Sequence, residues 1–196
     1  SIVEKNEVEI KHFLDSVACI TDELSNSDIK VIDVGTGAGF PGLPIKILYN
    51  NIQLTLLDSL NKRINFLEEV VDNLELEDVK CIHGRAEDFG KDEAYREKYD
   101  ITVSRAVADL AVLAEYCLPF VKVGGYFISQ KSKKAKDEVI AAENALDILG
   151  GSVEKIVEVS VPYLEAERYL IIIKKVKETP EKYPRRSGKP LKKPLS

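Results

Sequence analysis

The stretch Val31-Ile32-Asp33-Val34-Gly35-Thr36-Gly37-Ala38-Gly39-Phe40 runs from an apolar strand pattern into a glycine turn that opens a helix. Glycine lets the backbone bend sharply there and lets a ligand come close to main-chain N–H groups. A GxGxG turn alone has a second reading, a tight strand-to-helix link with no ligand. Asp58 shifts that balance, because it ends the next strand pattern, about 20 residues on, where a carboxylate accepts hydrogen bonds from both hydroxyls of a ribose. That feature is shared with dinucleotide-binding proteins. The turn spelling, with Asp33 just ahead of it, and the Ala86-Glu87-Asp88 segment after the third strand pattern separate the two classes. A methionine-type cofactor has no pyrophosphate, so its site must satisfy an ammonium and a carboxylate instead, and Asp33 is a suitable partner for the ammonium.

Ser104-Arg105 closes the fourth strand pattern, on the edge where ligands of open α/β sheets bind. An arginine there either holds the cofactor or contacts the acceptor substrate; an ordinary surface ion pair is the bland alternative. Lys131, Lys133, Lys134 and Lys136 follow the fifth pattern and could meet a polyanion, although such a cluster also suits a solvated helix start.

The elements that must carry these residues alternate. Five short apolar runs have strand character: Lys30 to Val34, Leu54 to Leu57, Val79 to His83, Ile101 to Ser104 and Tyr126 to Gln130. Segments of helical length and spacing lie around Leu43 to Tyr49, Lys62 to Leu74, Asp109 to Phe120 and Ala135 to Leu149. This alternation demands right-handed crossovers and a mostly parallel sheet covered on both faces. After Gly150-Gly151, Val153 to Val161 and Arg168 to Val176 form two strand-like runs with only Pro162 to Glu167 between them. So short a link forces antiparallel pairing. The expected fold is therefore α/β, a Rossmann-like class I methyltransferase domain over residues 28–176, with a mostly parallel seven-stranded sheet ending in an antiparallel hairpin.

Flanking segments are expected on either side. Val8 to Leu24 has an apolar face at helical spacing, so residues 1–27 are read as an N-terminal helical segment. The chain begins at Ser1 and contains no methionine, from which a missing N-terminal piece is expected. Residues 177–196 are read as a basic, proline-rich arm without regular structure, since Pro180, Pro184, Pro190 and Pro194 interrupt it. From Lys174 onward nine Lys or Arg stand against two Glu, within a chain whose net charge is −5. A uniformly acidic protein repels a polyanion, but a basic arm on an acidic body does not.

Four motifs besides the arm complete a resemblance. Asp33-Val-Gly-Thr-Gly-Ala-Gly-Phe-Pro-Gly42, Asp58-Ser-Leu-Asn-Lys-Arg-Ile64, His83-Gly-Arg-Ala-Glu-Asp-Phe89, Ser104-Arg-Ala-Val107 and the terminal Tyr183-Pro-Arg-Arg-Ser-Gly-Lys-Pro190 resemble, in order and over essentially the whole chain, the RsmG (GidB) family. The resemblance implies a bacterial enzyme that uses S-adenosyl-L-methionine to methylate guanine N7 in 16S ribosomal RNA. It implies cofactor contacts at Gly35, Phe40, Ala86, Glu87 and Arg105, to which Asp33, Gly37, Gly39 and Asp58 are added from the residue argument. The family's N-terminal helical segment is longer than what precedes the strands here. His12 resembles a motif on that segment, and a satisfied structural histidine is its equal alternative.

Chemistry on N7 needs no general base, so no catalytic acid or base is assigned; Arg105, Lys131 and His12 are the positioning candidates. The sequence is consistent with that: it has two histidines, neither beside a nucleophile motif, and lacks the Asn-Pro-Pro-aromatic motif expected for methylation of an exocyclic amine. RNA contacts are expected from Lys131, Lys133, Lys134, Arg168, Lys182, Arg185, Arg186, Lys189, Lys192 and Lys193, the last six on a flexible arm gripping a phosphate backbone. Such contacts add affinity without reading sequence and fade with salt. The partner implied by the resemblance is 16S rRNA or the small ribosomal subunit. Cys19, Cys81 and Cys117 lie far apart, so no metal site or disulfide is expected. With no run of roughly 18 apolar residues, a soluble cytoplasmic monomer is expected. Three competing readings remain: an RNA-binding module of the same fold without turnover, a methyltransferase for another substrate and, more distantly, a dinucleotide oxidoreductase.

Overall fold

The computed structural model describes residues 29–105, 108–159 and 168–195. The expected N-terminal helix, His12 and the link between the last two strands lie outside the described residues. Seven strands form one sheet: β1 (Lys30–Val34), β2 (Gln53–Asp58), β3 (Val79–His83), β4 (Tyr99–Ser104), β5 (Val121–Lys131), β6 (Gly151–Val159) and β7 (Arg168–Lys175), in the order β3-β2-β1-β4-β5-β7-β6. The first five are parallel, and β7 enters antiparallel between β5 and β6.

The inner strands read as nearly continuous apolar runs because both faces are covered. Val31, Ile32, Leu54, Leu56, Ile101 and Val103 are all buried. The helices between strands are α1 (Gly42–Leu48), α2 (Asn61–Asn73), a single turn α3 (Ala86–Phe89), α4 (Leu110–Cys117) and α5 (Ala135–Leu149). They divide the core into two layers. One packs Leu43, Ile45, Ile64 and Leu67 on one face of the sheet; the other packs Leu110, Leu113, Cys117, Ala142, Leu146 and Leu149 on the opposite face. No described helix is long and apolar enough to cross a membrane.

Strand order reverses between β1 and its two neighbours, β2 and β4. In a parallel sheet that point leaves a crevice beyond the C-terminal strand ends, because the crossovers depart to opposite faces there. Asp33, Asp58 and Ser104 all sit at those ends.

The last residues differ from expectation. Instead of a free arm, the chain after β7 packs on the body and ends in one helical turn, α6 (Lys189–Lys192). Tyr183 is buried in the α4/α5 layer. Arg96 donates from Nη1 to the carbonyls of Gly90 and Tyr183, both at 2.8 Å. Thr179 is held from both sides, its N–H donating to Glu97 Oε1 at 2.8 Å and its hydroxyl to the Leu149 carbonyl at 2.7 Å. Prolines exclude a long helix but not docking by side chains.

Candidate active site

Gly35 follows β1 at φ +73° and Gly37 follows at φ +63°. At neither position would a Cβ meet an atom within 4 Å, so the turn presents bare backbone to open space. Its N–H groups are already used: Gly35 and Thr36 donate to the Leu57 carbonyl at 2.9 and 3.2 Å, and Gly37 donates to Asp58 Oδ2 at 2.9 Å. The glycines therefore provide clearance rather than the close approach to N–H groups expected from sequence. A pyrophosphate would need those donors converging on it, so the turn does not suit a dinucleotide. Gly39 has a different task. A Cβ there would stand 2.4 Å from Leu43 Cδ1 and 2.9 Å from Leu67 Cδ2. Helix packing by itself requires a glycine at this position.

Asp33 lies beneath the turn and is fully buried. Its Oδ2 accepts the Thr36 hydroxyl at 2.7 Å and the Gly42 N–H at 2.9 Å, while Oδ1 is buried without a hydrogen-bond partner. Burial raises its carboxyl to about 6, against the pull of those hydrogen bonds and of the Arg105 charge. An orphan buried carboxylate oxygen costs stability, which is the expected signature of a group kept for a ligand.

Asp58 is also buried. Its Oδ1 takes the Leu60 N–H at 2.9 Å, and its Oδ2 takes Gly37 N–H together with Arg63 Nη1 at 3.2 Å. An ionised carboxylate has about four acceptor directions, so one remains for a hydroxyl. Arg105 stands 5.1 Å from the centre of the Phe40 ring, so two candidates from separate motifs meet beside the turn.

A cleft of about 260 Å³ opens from this point, lined by Gly35, Asp58, Ala86 and Glu87 and also by Leu113, Tyr116 and Leu191. Four of the sequence candidates thus share one cavity, while Asp33, Gly37, Phe40 and Arg105 lie along the turn outside it. Ligand pockets usually run to about 300–1,000 Å³, so the cleft suits the nucleoside half of a ligand and the turn suits the rest. Tyr116, Leu113 and Leu191 were not found from sequence; each reads as ordinary core or tail until the fold brings it to the cleft. A second cavity, beside Lys30, Lys80 and Tyr99, opens at the N-terminal ends of the strands, away from all these groups.

Two assignments to RNA change. Lys131 is nearly buried, pairs with Glu138 Oε2 at 2.7 Å and donates to the Ala108 carbonyl. Since Glu138 also accepts the Leu110 N–H at 3.0 Å, Lys131 fixes the start of α4. Arg185 forms a two-pronged pair with fully buried Glu115, with Nη2 to Oε2 at 2.6 Å and Nε to Oε1 at 2.9 Å. Both cations are satisfied within the protein, and neither is available to a phosphate. Lys133, Lys134, Lys182, Arg186, Lys189, Lys192 and Lys193 are exposed. Arg168 opens β7, on the sheet edge shared with the end of β5.

Sequence comparison decides the class. A profile of the family described as rRNA small subunit methyltransferase G matches residues 1–171. The chain belongs to this family. Curated relatives bearing the name ribosomal RNA small subunit methyltransferase G include one from Alkaliphilus metalliredigens, 53% identical over 100% of this chain and 82% of its own length. Another, from Alkaliphilus oremlandii, is 55% identical over the same shares. Solved structures share the fold: a SAM-dependent methyltransferase from Aquifex aeolicus superposes with TM-score 0.62 at 19% identity, over 87% of this chain and 93% of that one. TrmN from Thermus thermophilus gives 0.62 at 14% identity, over 82% and 48%. This member of the family is thus an S-adenosylmethionine-dependent methyltransferase, with the Rossmann-like mixed sheet expected from its sequence.

The residues present fit that donor: clearance at Gly35 and Gly37, a carboxylate with a spare lone pair at Asp58, and an unsatisfied carboxylate oxygen at Asp33. A folded carboxyl at about 6, above an unfolded value of 3.8, means the native state holds its proton more tightly. Stability is therefore present at low pH and is lost as pH rises from 3.8 to about 6, by roughly 3 kcal/mol. Asp33→Asn keeps an oxygen for Thr36 and Gly42 and removes the buried charge. Its melting temperature at pH 8 is expected to equal or exceed the parent's while S-adenosylhomocysteine affinity falls at least tenfold. A lower melting temperature with unchanged affinity would make Asp33 purely structural.

Proposed function

We propose that this chain methylates N7 of a guanine in 16S ribosomal RNA by in-line transfer without a general base. S-adenosylmethionine supplies an electrophilic methyl group on sulfur. The protein's part is placement: the cleft residues Asp58, Ala86 and Glu87 hold the nucleoside end, and Asp33 with the bare glycine turn receives the amino-acid end. Guanine N7 carries its own lone pair, so rate comes from bringing it in line at near-attack distance and from tolerating the positive charge that appears on the base. Arg105, at the end of β4 beside Phe40, positions the donor or the O6 edge of the guanine.

The observation that carries this reading is that neither described cysteine supplies an activated nucleophile. Cys117 is fully buried and its thiol is pushed well above its ordinary range by that burial. Cys81 is raised to about 11 for the same reason. Methylation of a pyrimidine carbon needs a thiolate, and neither cysteine provides one at neutral pH. The names of the curated relatives support small-subunit rRNA as the substrate. Exposed Lys133 and Lys134 after β5, and the lysines of α6, place positive charge on the same side as the cleft.

The test uses small subunits and naked 16S rRNA from cells lacking this protein, incubated with tritiated S-adenosylmethionine. Incorporation at one guanine, with borohydride and aniline cleaving the RNA there as they do at N7-methylguanine, is the expected result. Donor binding with no transfer to either RNA would leave the non-catalytic RNA module. Label on another atom or on protein would replace the substrate.

A further inference from the structure

The C-terminal segment forms part of the site that its basic composition concealed. Gly188 and Leu191 line the same cleft as Asp58, Ala86 and Glu87. Leu191 is a large apolar side chain with 64% of its surface exposed, in a turn otherwise made of lysines and proline. The segment is tethered to the cleft's own residues: Gly188 N–H donates to Glu87 Oε1 at 2.8 Å, and Arg85 Nη1 donates to the Ser187 hydroxyl at 2.7 Å. Behind it, the Arg185–Glu115 pair fixes the approach of the chain.

We propose that residues 187–191 are the outer wall of the donor site, with Leu191 packing on the nucleobase of S-adenosylmethionine across from Leu113 and Tyr116. This rests on the cleft being the nucleoside half of that site. The chemistry of the lining favours a base there: Ala86, Leu113, Tyr116 and Leu191 give apolar surface for a flat ring, and Asp58 marks the ribose beyond it. Glu87 already accepts from a backbone N–H of the wall, so the carboxylate that meets the ligand also anchors the segment that covers it. Exposed Lys189, Lys192 and Lys193 flank Leu191 on the same turn. A polyanion drawn to them sits against the wall, and any effect of RNA on donor affinity must be matched by an equal effect of donor on RNA affinity.

The experiment is calorimetry of S-adenosylhomocysteine with the full chain and with Leu191→Asp, Leu191→Ala and Asp58→Ala. Hydrogen exchange of residues 186–193 is followed with and without ligand. Because Leu191 is exposed, its variants should melt with the parent. Leu191→Asp is expected to raise Kd about tenfold, as loss of a buried leucine contact does, Leu191→Ala by less, and ligand should slow exchange in the segment. If Asp58→Ala abolishes binding while both Leu191 variants stay within twofold and exchange is unchanged, the wall is refuted and the site stands. If Asp58→Ala also binds normally, the site itself is misplaced and the wall falls with it.

Discussion

Asp58→Ala is expected to raise the Kd for S-adenosylhomocysteine by about 100-fold or more, the largest loss of donor affinity from any single change in the cleft. A hydrogen bond to a charged acceptor contributes roughly 1.5–3 kcal/mol, and Asp58 has one direction left for a ribose hydroxyl. The substitution also releases the N–H of Gly37 and of Leu60, both now held at 2.9 Å. The glycine turn then loses its tie to the end of β2, and the amino-acid end of the site loosens together with the nucleoside end. Asp58→Asn keeps one acceptor and should fall between parent and alanine. Titration calorimetry reads this directly. An alanine variant binding within threefold of the parent would show that the donor lies elsewhere.

The second large effect concerns stability. Arg185→Ala leaves the Glu115 carboxylate, which has no exposed surface, without its guanidinium partner. Breaking a buried ion pair from one side costs about 3–5 kcal/mol, which for a domain of this size lowers the melting temperature by roughly 6–20 °C. Glu115→Gln in the same background should recover part of the loss, because the residual buried group is then neutral. Thermal unfolding followed by circular dichroism measures both. An arginine serving only as a solvated RNA contact would give the opposite pattern, with melting unchanged and RNA affinity reduced.

That contrast shows where sequence reading reaches its limit. Strand positions were legible because burial on both faces writes continuous apolar runs into β1, β2 and β4, and Lys30–Val34 and Val79–His83 match the expected bounds. The antiparallel hairpin followed from the shortness of its link. That Gly35, Asp58, Ala86 and Glu87 share one cleft was legible because a turn, a strand end and a following helical turn each carry a distinctive residue type. Gly39 was not separable from its neighbours, since a glycine needed for clearance and one needed for packing against Leu43 have the same spelling. The tail was misjudged for a related reason. Charge and proline content describe what a segment does alone, whereas Arg185 is governed by a glutamate seventy positions earlier in the chain. Lys131 is the same case on a smaller scale, its partner Glu138 lying one helical start away.

The central place of β1 in the sheet has a bearing on biosynthesis. Its register with β4 pairs Val31 with Ile101, so one flank of the strand that bears the glycine bend is unzipped until some seventy further residues have been made. At ribosomal speeds of about 5–20 residues per second, that interval is roughly 4–14 s. During it a greasy ribbon lies open to whatever else emerges nearby, and nascent-chain chaperones would have their best purchase on this protein there.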